Sequence, residues 1–295
     1  MWINRRFLIC FLASILSGHA LSSNLDCQFN LLSIEPLSAK STYDVFFTGG
    51  MPLIQNYQIR AEITGQECAI DVELDIDQGA KVLRRSGSKE MKLEWHGNAG
   101  YEKAGRWYIS LSELNETARF QIRYPPNQWL TAGHFTGQLH ASFSGPNANL
   151  AQQEQQLTYD VSVSVLPSAK IQFYGLSQRH YELNIGDLTK NKTVQPGPKL
   201  WVQSTGGYSI TVESINRGVL RHQSENSQWD IAYQLTLENQ NIDLNQSIDQ
   251  WFSQHSTSGK PIPMTFLVGD TKNKPSGRYH DTVNISIQPE LTQQP

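Results

Sequence analysis

The chain has 295 residues, 38% of them hydrophobic and 17% charged, with a formal net charge of −3 at pH 7. This mildly acidic balance argues against nucleic acid as a partner, because nucleic-acid-binding surfaces are basic. The length predicts two domains rather than one.

Residues 1–20 have the layout of a secretory signal peptide. Two arginines precede an apolar run over residues 7–16, and small residues follow it. An uncleaved membrane anchor is the alternative, but the run is shorter than the roughly 20 residues that span a bilayer. We therefore expect the mature chain to begin near Leu21 and to be exported.

The cysteines predict one disulfide. Cys10 leaves with the signal peptide, and the remaining pair, Cys27 and Cys68, lies in an oxidising compartment. Two free buried thiols are the alternative. There is no second cysteine pair, and the histidines are scattered singly, so we predict neither a metal site nor a cofactor.

Alternating apolar and polar residues predict β-strands along most of the chain. The clearest case is 69–77, where Ile70, Val72, Leu74 and Ile76 alternate with polar residues, mostly acids. Similar alternation marks residues 120–124, 159–165, 208–212, 264–268 and 283–287. Glycine, proline and asparagine clusters separate these runs, a spacing typical of antiparallel β-sandwiches.

We place a domain boundary at the segment Leu166–Pro167–Ser168. The signal peptide (1–20) is then followed by an amino-terminal binding domain (21–166) and a carboxy-terminal domain (167–295). One stretch, Asp243–His255, has apolar residues at helical spacing and is predicted to be a short helix.

The two halves share sequence features. Residues 132–145 match 276–289 as a small residue, glycine, any residue, an aromatic residue and then alternating apolar positions. Residues 107–110 similarly match 229–232. These echoes indicate two diverged copies of one sandwich, with chance resemblance between β-rich segments as the alternative.

The echo raises the question of a missing strand. In the first half, the strand 157–165 follows the matched segment and can complete the sheet, whereas only 291–295 follow it in the second half. Unpaired backbone groups are costly when buried and adhesive when exposed. We therefore expect another chain to supply the strand. The groove for it should be lined by Val283, Ile285 and Ile287 together with some of Ile171, Phe173, Leu183 and Ile185.

The second half resembles a known family, the spore coat protein U-like pilins of archaic chaperone-usher pili in Gram-negative bacteria. The run 277–285, the segment 205–210 followed by 216–220, and the strand 231–235 carry this resemblance. It implies immunoglobulin-like β-sandwiches, the second lacking its last strand. It also implies a periplasmic pilus chaperone, an outer-membrane usher and an adjacent pilin subunit that donates the strand.

Within that family the chain resembles a two-domain tip adhesin. A donated strand needs about ten residues, and only residues 21–26 precede Cys27. We therefore expect a subunit that accepts a strand without donating one, at the pilus tip on the cell surface. A structural minor pilin that caps or initiates the fibre without binding a target is the alternative.

Three loop-like stretches of the first domain, 49–54, 97–101 and 124–130, are unusually apolar or aromatic. Exposed apolar clusters commonly mark binding surfaces. We expect them at the far end of this domain, attaching to an abiotic or host surface and supporting biofilm formation. The predicted contact residues are Met51, Pro52, Leu53, Ile54, Tyr101, Pro125, Pro126, Trp129 and Leu130. Alternatively, these side chains cover the sandwich end or stack on sugars; Trp95 and Trp107 are expected in the core.

No catalytic motif is found. The sequence has no Gly-x-Ser-x-Gly elbow, no His-Glu-x-x-His and no phosphate loop. Acid pairs such as Asp75 and Asp77 alternate onto the solvent face of a strand. We therefore predict a binding protein rather than an enzyme. A secreted carbohydrate-binding protein or β-sandwich hydrolase remains the alternative, and a hydrolase needs two carboxylates roughly 5–10 Å apart.

Overall fold

A computed structural model describes residues 27–38, 41–144, 156–176, 178–194 and 196–291. The predicted signal peptide lies outside these residues. Within them, regular structure consists of β-strands and two single-turn 3-10 helices, Asp77–Gly79 and Ser227–Trp229, which confirms the predicted all-β class. In the same residues, no helix has the length and hydropathy needed to cross a membrane.

The first half contains two main sheets. Its strands are β1 (Gln28–Pro36), β2 (Ser41–Tyr43), β3 (Leu53–Thr64), β4 (Ala69–Ile76), β5 (Val82–Leu83), β6 (Met91–Lys92), β7 (Glu94–His96), β8 (Gly100–Lys103), β9 (Arg106–Ser112), β10 (Thr117–Tyr124), β11 (Gly133–Ser144) and β12 (Gln156–Val165). One sheet has the order β1-β3-β10-β7 and the other β2-β12-β11-β4-β9-β8, while β5 pairs with β6.

The alternation seen in the sequence produces the core of this half. Along β4, Ile70, Val72, Leu74 and Ile76 are buried. Full burial of such a side chain stabilises the fold by about 1.5–3 kcal/mol. Apolar residues from both sheets form one cluster, so the two sheets enclose a single sandwich core.

The predicted disulfide is confirmed. Cys27 and Cys68 are bonded, with their Cα atoms 5.7 Å apart. The bond joins the segment before β1 to the segment before β4, and Cys68 is almost completely buried.

The second half has the same general design. Its strands are β13 (Ala169–Phe173), β14 (Thr193–Val194), β15 (Lys199–Ser204), β16 (Tyr208–Ser214), β17 (Val219–His222), β18 (Ile231–Leu237), β19 (Gln240–Ile242), β20 (Asp249–Ser253), β21 (Thr257–Val268), β22 (Tyr279–His280) and β23 (Val283–Pro289). The larger sheet has the order β13-β15-β21-β18-β17-β22, with β14 beside β21 and β19 beside β18. The smaller sheet has the order β20-β16-β23.

The two halves correspond strand by strand. The order β1-β3-β10-β7 matches β13-β15-β21-β18, and β11-β4-β9 matches β23-β16-β20. The echoed segments 132–145 and 276–289 therefore occupy equivalent strands, β11 and β23. In both, a glycine with positive φ precedes the alternating run: φ is 137° at Gly133 and 153° at Gly277.

Two sequence predictions are wrong. The match of residues 107–110 to 229–232 does not hold in the sheets, because Trp229 ends a 3-10 helix and the counterpart of Trp107 is Trp251, on β20. Residues 243–255 do not form a helix. A helix with that spacing would bury Ile248, but Ile248 is exposed, and β20 buries Trp251 through pairing with β16.

A three-residue connection, 166–168, joins the halves. No sheet crosses it among the described residues, and the two core clusters share no residue. The hydroxyl of Thr205 accepts from the Ser168 N–H at 2.8 Å and donates to the Leu166 carbonyl at 3.0 Å, and the Ala132 N–H donates to the Thr205 carbonyl at 2.7 Å. The domain boundary at 166/167 remains a prediction.

Candidate functional site

Among the described residues, the last strand of the second half, β23, has a neighbour on one side only. It pairs antiparallel with β16 from Val283 opposite Ser214 to Pro289 opposite Tyr208. Within the described residues, no strand pairs with its other edge. That edge presents the backbone donors and acceptors that an additional strand would use.

Cross-strand pairs between β16 and β23 show how the unpaired edge affects side-chain burial. Ile210 and Val212 on β16 are 0% and 1% exposed. Their direct partners on β23, Ile287 and Ile285, are only partly buried, although they pack against the same core. The core is therefore closed on the β16 side and only partly covered beyond β23.

Strand β13 lies on the other side of the exposed apolar residues of β23. It pairs with β15, placing Ile171 opposite Val202 and Phe173 opposite Leu200. Both β15 residues are buried, whereas both β13 residues are partly exposed. Cα atoms of β13 and β23 approach within 8 Å, but no backbone pairing joins the two strands in the described residues.

The structure thus brings the predicted groove residues together. The five residues that line the gap are Ile171, Phe173, Val283, Ile285 and Ile287, and all pack against the second core while remaining partly exposed. We call this apolar strip the groove; within the described residues, β13 and β23 each retain one unpaired edge beside it.

A third segment lies beside the groove. Residues 181–185 alternate Tyr181, Leu183 and Ile185 with polar residues but form no strand, and Leu183 and Ile185 are half-buried. The Tyr181 ring is centred 5.3 Å from that of Phe173. The Lys192 ammonium donates to the Ile185 carbonyl at 2.5 Å, which fixes the end of the segment.

Hydrogen bonds hold the start of β23 in place. The Asp281 carboxylate accepts from the Tyr233 and Ser214 hydroxyls, both at 2.6 Å, and from the Asn216 N–H at 2.9 Å. Burial, and then the hydrogen bond to Asp281, raises the pKa of Tyr233, which stays protonated and donating. These bonds anchor β23 from the β16 side.

Two of the three predicted binding loops meet at one cavity in the first half. The cavity has a volume of about 240 Å³, and Met51, Pro52 and Leu53 line it together with Pro126. Phe47, which the sequence analysis did not select, also lines it and is 42% exposed. Met51 is 68% exposed, so the cavity has an accessible apolar rim.

The predicted position of these loops at the far end is wrong. Gly133 pairs with Val165, so the loop before β11 lies at the end where the chain leaves for the second half. The Tyr43 hydroxyl donates to the Pro125 carbonyl at 2.8 Å, which places the cavity at that end. The opposite end carries the connections 65–68 and 113–116.

The remaining predicted contact residues do not lie at one common surface. Leu130 is 2% exposed and belongs to the core, so its predicted contact role is wrong. Trp129 is half-buried, with its ring 5.9 Å from that of Phe46, and Ile54 lies within β3. Tyr101 lies on β8, and four strands separate β8 from β2, which is roughly 24 Å at about 4.8 Å per strand.

Trp95 and Trp107 are buried, as expected for core residues. The described residues also contain no group of three histidine, cysteine or acidic side chains placed to hold a metal ion.

Comparison with known proteins gives structural likenesses alone: no family model and no curated protein matches the chain. A chain of the CsuC–CsuE chaperone–tip adhesion subunit complex of Acinetobacter baumannii is 15% identical, with a TM-score of 0.41, over 87% of this chain and 100% of that one. The CupB6 tip adhesin of Pseudomonas aeruginosa is 8% identical, with a TM-score of 0.35, over 89% and 94%. TM-scores below 0.5 do not establish a family, so we base the proposed function on the contacts described above.

Proposed function

We propose that this chain is an adhesin subunit of a chaperone-usher pilus whose second half is completed by a strand from another subunit. The observation that carries the proposal is the apolar groove between β13 and β23. There, five core-packing side chains stay partly exposed beside two strand edges that have no partner within the described residues. Strand addition satisfies such edges and covers such side chains together.

The first half supplies a template for the completed groove. There, β12 lies beside β11, the counterpart of β23, and pairs with it from Gly133 opposite Val165 to Ser142 opposite Gln156. With β12 in place, Leu139 and Ala141 of β11 are completely buried. Their counterparts in the echo, Val283 and Ile285, are not. A strand in the equivalent place beside β23 would close the second core in the same way.

The template also suggests the second wall for a donated strand. On its other side, β12 pairs in parallel with β2, the short strand that follows β1. Segment 181–185 follows β13 in the same chain order. We infer that a donor runs antiparallel to β23 and parallel to this segment, burying Leu183 and Ile185 as it binds.

The groove also accounts for the other proposed partners. In the periplasm, a chaperone strand holds the groove before assembly, the outer-membrane usher receives the complex, and an adjacent pilin then replaces the chaperone. Each half-exposed side chain that becomes covered contributes on the order of 1 kcal/mol, about half the value for full burial. The assembled subunit is exposed on the cell surface.

For the adhesive surface we propose the apolar rim formed by Phe47, Met51, Pro52 and Pro126, attached to an abiotic or host surface. Its position favours a second candidate function. The rim lies at the linker end of the first half rather than at the free end. A minor pilin that caps or initiates the fibre, with this rim serving assembly, fits that position.

The test of strand acceptance uses the full chain and hydrogen exchange. In the free chain, we expect amides on the open edge of β23 to exchange much faster than those of β16. A synthetic peptide copying residues 156–165 of this chain should protect that edge and raise the melting temperature of the second half. A control peptide with aspartate at the positions of Val161 and Val163 should do neither.

A pair of variants tests whether the peptide binds in the groove. Ile285→Asp places a charge in the groove and should abolish peptide protection, whereas Asn284→Asp, on the outward face of the same strand, should leave it intact. Slow exchange along both edges of β23 in the free chain would show that the groove is already filled, and the proposal would fail.

The two functions separate in an attachment assay. Met51→Ser with Phe47→Ser should abolish surface attachment by piliated cells while leaving pilus number unchanged if the rim binds a target. Normal attachment with fewer pili would favour the minor pilin.

A further inference from the structure

A second recess, unrelated to the strand groove, opens on the first half where β4 separates from β11. The last pair between these strands is Ile76 opposite Leu139. The chain then leaves the sheet and returns to β11 at Arg84, which forms an isolated bridge with Thr136. The missing stretch of sheet leaves a recess beside the middle of β11.

The turn that borders the recess has an unusual backbone. Asp77 and Gln78 both have φ of 54°, Gly79 follows with φ of 83°, and Lys81 has φ of 56°. Left-handed geometry costs non-glycine residues about 1–2 kcal/mol each. The Gly79 N–H donates to the Asp75 carboxylate at 2.6 Å, which helps to hold the turn. Such strain is concentrated at functional sites in proteins.

The recess is small, and its lining mixes polar and apolar surface. Its volume is about 250 Å³, below the range of pockets for drug-sized ligands. Its polar lining combines a carboxylate, a guanidinium, a hydroxyl, an amide and an imidazole. These groups belong to Asp77, Arg84, Thr136, Gln138 and His140, and Val82 adds an apolar surface.

The charged side chains of the recess already have partners. Arg84 forms ion pairs with Asp77 and, at 2.9 Å, with Glu90. These hydrogen bonds, first to Asp77 and then to Glu90, raise the pKa of the Arg84 guanidinium. With two carboxylates opposite one guanidinium, the recess offers no surplus positive charge to an anion. A neutral ligand fits it better.

One polar atom in the recess lacks a partner. The Nδ1 atom of His140 is buried and has no hydrogen bond within the described part of the chain. Buried polar atoms are normally satisfied. Because no hydrogen bond of Nδ1 holds this ring in place within the described residues, the ring can turn to present a nitrogen to a ligand in the recess that it lines. Hydroxyl groups suit this mixed lining because each can both donate and accept.

We propose that this recess binds a neutral polyhydroxyl compound of monosaccharide size. The ligand's hydroxyls would bond Asp77, Gln138 and the imidazole of His140, with its apolar face against Val82. This site is independent of strand acceptance and of the apolar rim, since none of its lining residues belongs to either.

The test is a titration of the isotope-labelled full chain, followed through its amide signals. The probes are glucose, galactose and mannose, each up to about 50 mM because weak sugar binding has a Kd of millimolar order, with glucuronate as the charged comparison. We expect at least one neutral hexose to shift signals within 77–84 and 136–140. Glucuronate should bind at least about tenfold more weakly.

Matched variants identify the recess. Gln138→Trp fills it from an exposed position and should weaken hexose binding at least about tenfold. His134→Trp, four residues earlier on the same face of β11 and outside the recess, should bind as the parent does. Unchanged β-sheet signals in both variants would exclude misfolding. The proposal fails if none of the three hexoses shifts these signals, or if Gln138→Trp leaves the shifts unaltered.

Discussion

Strands β11 and β23 carry the same sequence pattern in equivalent positions but have different surroundings. Leu139 and Ala141 of β11 lie between β4 and β12 and are completely buried. Val283 and Ile285 of β23 have a neighbouring strand on one side within the described residues and remain partly exposed. The apolar pattern is at least as strong in β23. The number of neighbouring strands, rather than residue type, therefore sets burial here.

The first half is also closed covalently, by the disulfide that precedes β1 and β4. No cysteine follows Cys68 in the sequence. The first half is thus closed by a bond and by its own strand β12. The second half has no cysteine and, in the part of the chain that the structure describes, an open edge at β23. This contrast predicts different responses of the two halves to the same kind of change.

The largest effect is expected from removing the disulfide. The bridge spans 41 residues, and closing a loop of that length stabilises a fold by about 4 kcal/mol through the entropy of the unfolded chain. Cys27→Ser with Cys68→Ser should lower the free energy of unfolding of the first half by this amount, measured by calorimetry. The transition of the second half should not move. A parallel fall of both transitions would show that the halves unfold as one unit.

Truncating equivalent strands should give unequal losses. Leu139→Ala opens a cavity in a closed core and should cost about 2–5 kcal/mol in denaturant unfolding. Ile285→Ala removes a side chain that is already partly exposed and should cost roughly 1 kcal/mol in the free chain. When a donor peptide is bound, the cost of Ile285→Ala should rise towards that of Leu139→Ala. Equal costs in the free chain would contradict an open second core.

The smallest effect concerns alkaline pH. The hydroxyls of Tyr57 and Tyr124 both donate to the Gln55 side-chain oxygen, and burial raises the pKa of each. The unfolded chain releases these protons near pH 10, while the folded chain keeps them. The stability they provide is complete below pH 10 and falls above it by about 1.4 kcal/mol per pH unit for each tyrosine.

Tyr57→Phe should therefore flatten the decline of the first half between pH 10 and pH 12 by the contribution of one tyrosine. Unfolding measured at several pH values would show the slope. Tyr233→Phe is the matched change in the second half and should flatten only that transition. An unaltered slope in Tyr57→Phe would mean that the hydroxyl is already ionised in the folded chain.

The fold was predictable where local pattern determines it. Alternation over 69–77 predicts β4 to within a residue, and the echo predicts the equivalence of β11 and β23. The helix prediction for residues 243–255 failed because Leu244 and Trp251, both buried, are seven residues apart, a spacing that suits two helical turns. In the structure, a turn and the strand β20 bury the same two side chains because β20 pairs with β16, a contact between segments distant in sequence.

The site was predictable only in part. The proposed groove residues follow from alternation next to an edge, but which end of the sandwich carries a loop depends on strand direction. The strand order along the chain contains this direction, because successive connections in an antiparallel sheet alternate between its ends. The loop before β11 must therefore share an end with the linker after β12. The cavity lined by Phe47 and Pro126 could not be predicted in this way, since it depends on contacts between segments distant in sequence.

The linker also has a mechanical consequence. A pull applied through a strand beside β23 passes to β16 and then to Thr205, whose hydroxyl and backbone bond Leu166, Ser168 and Ala132. Tension therefore enters the first half through several hydrogen bonds loaded together, with only three residues between the sandwiches. Because so short a connection extends little, a force on one half is transmitted to the other before either sandwich extends.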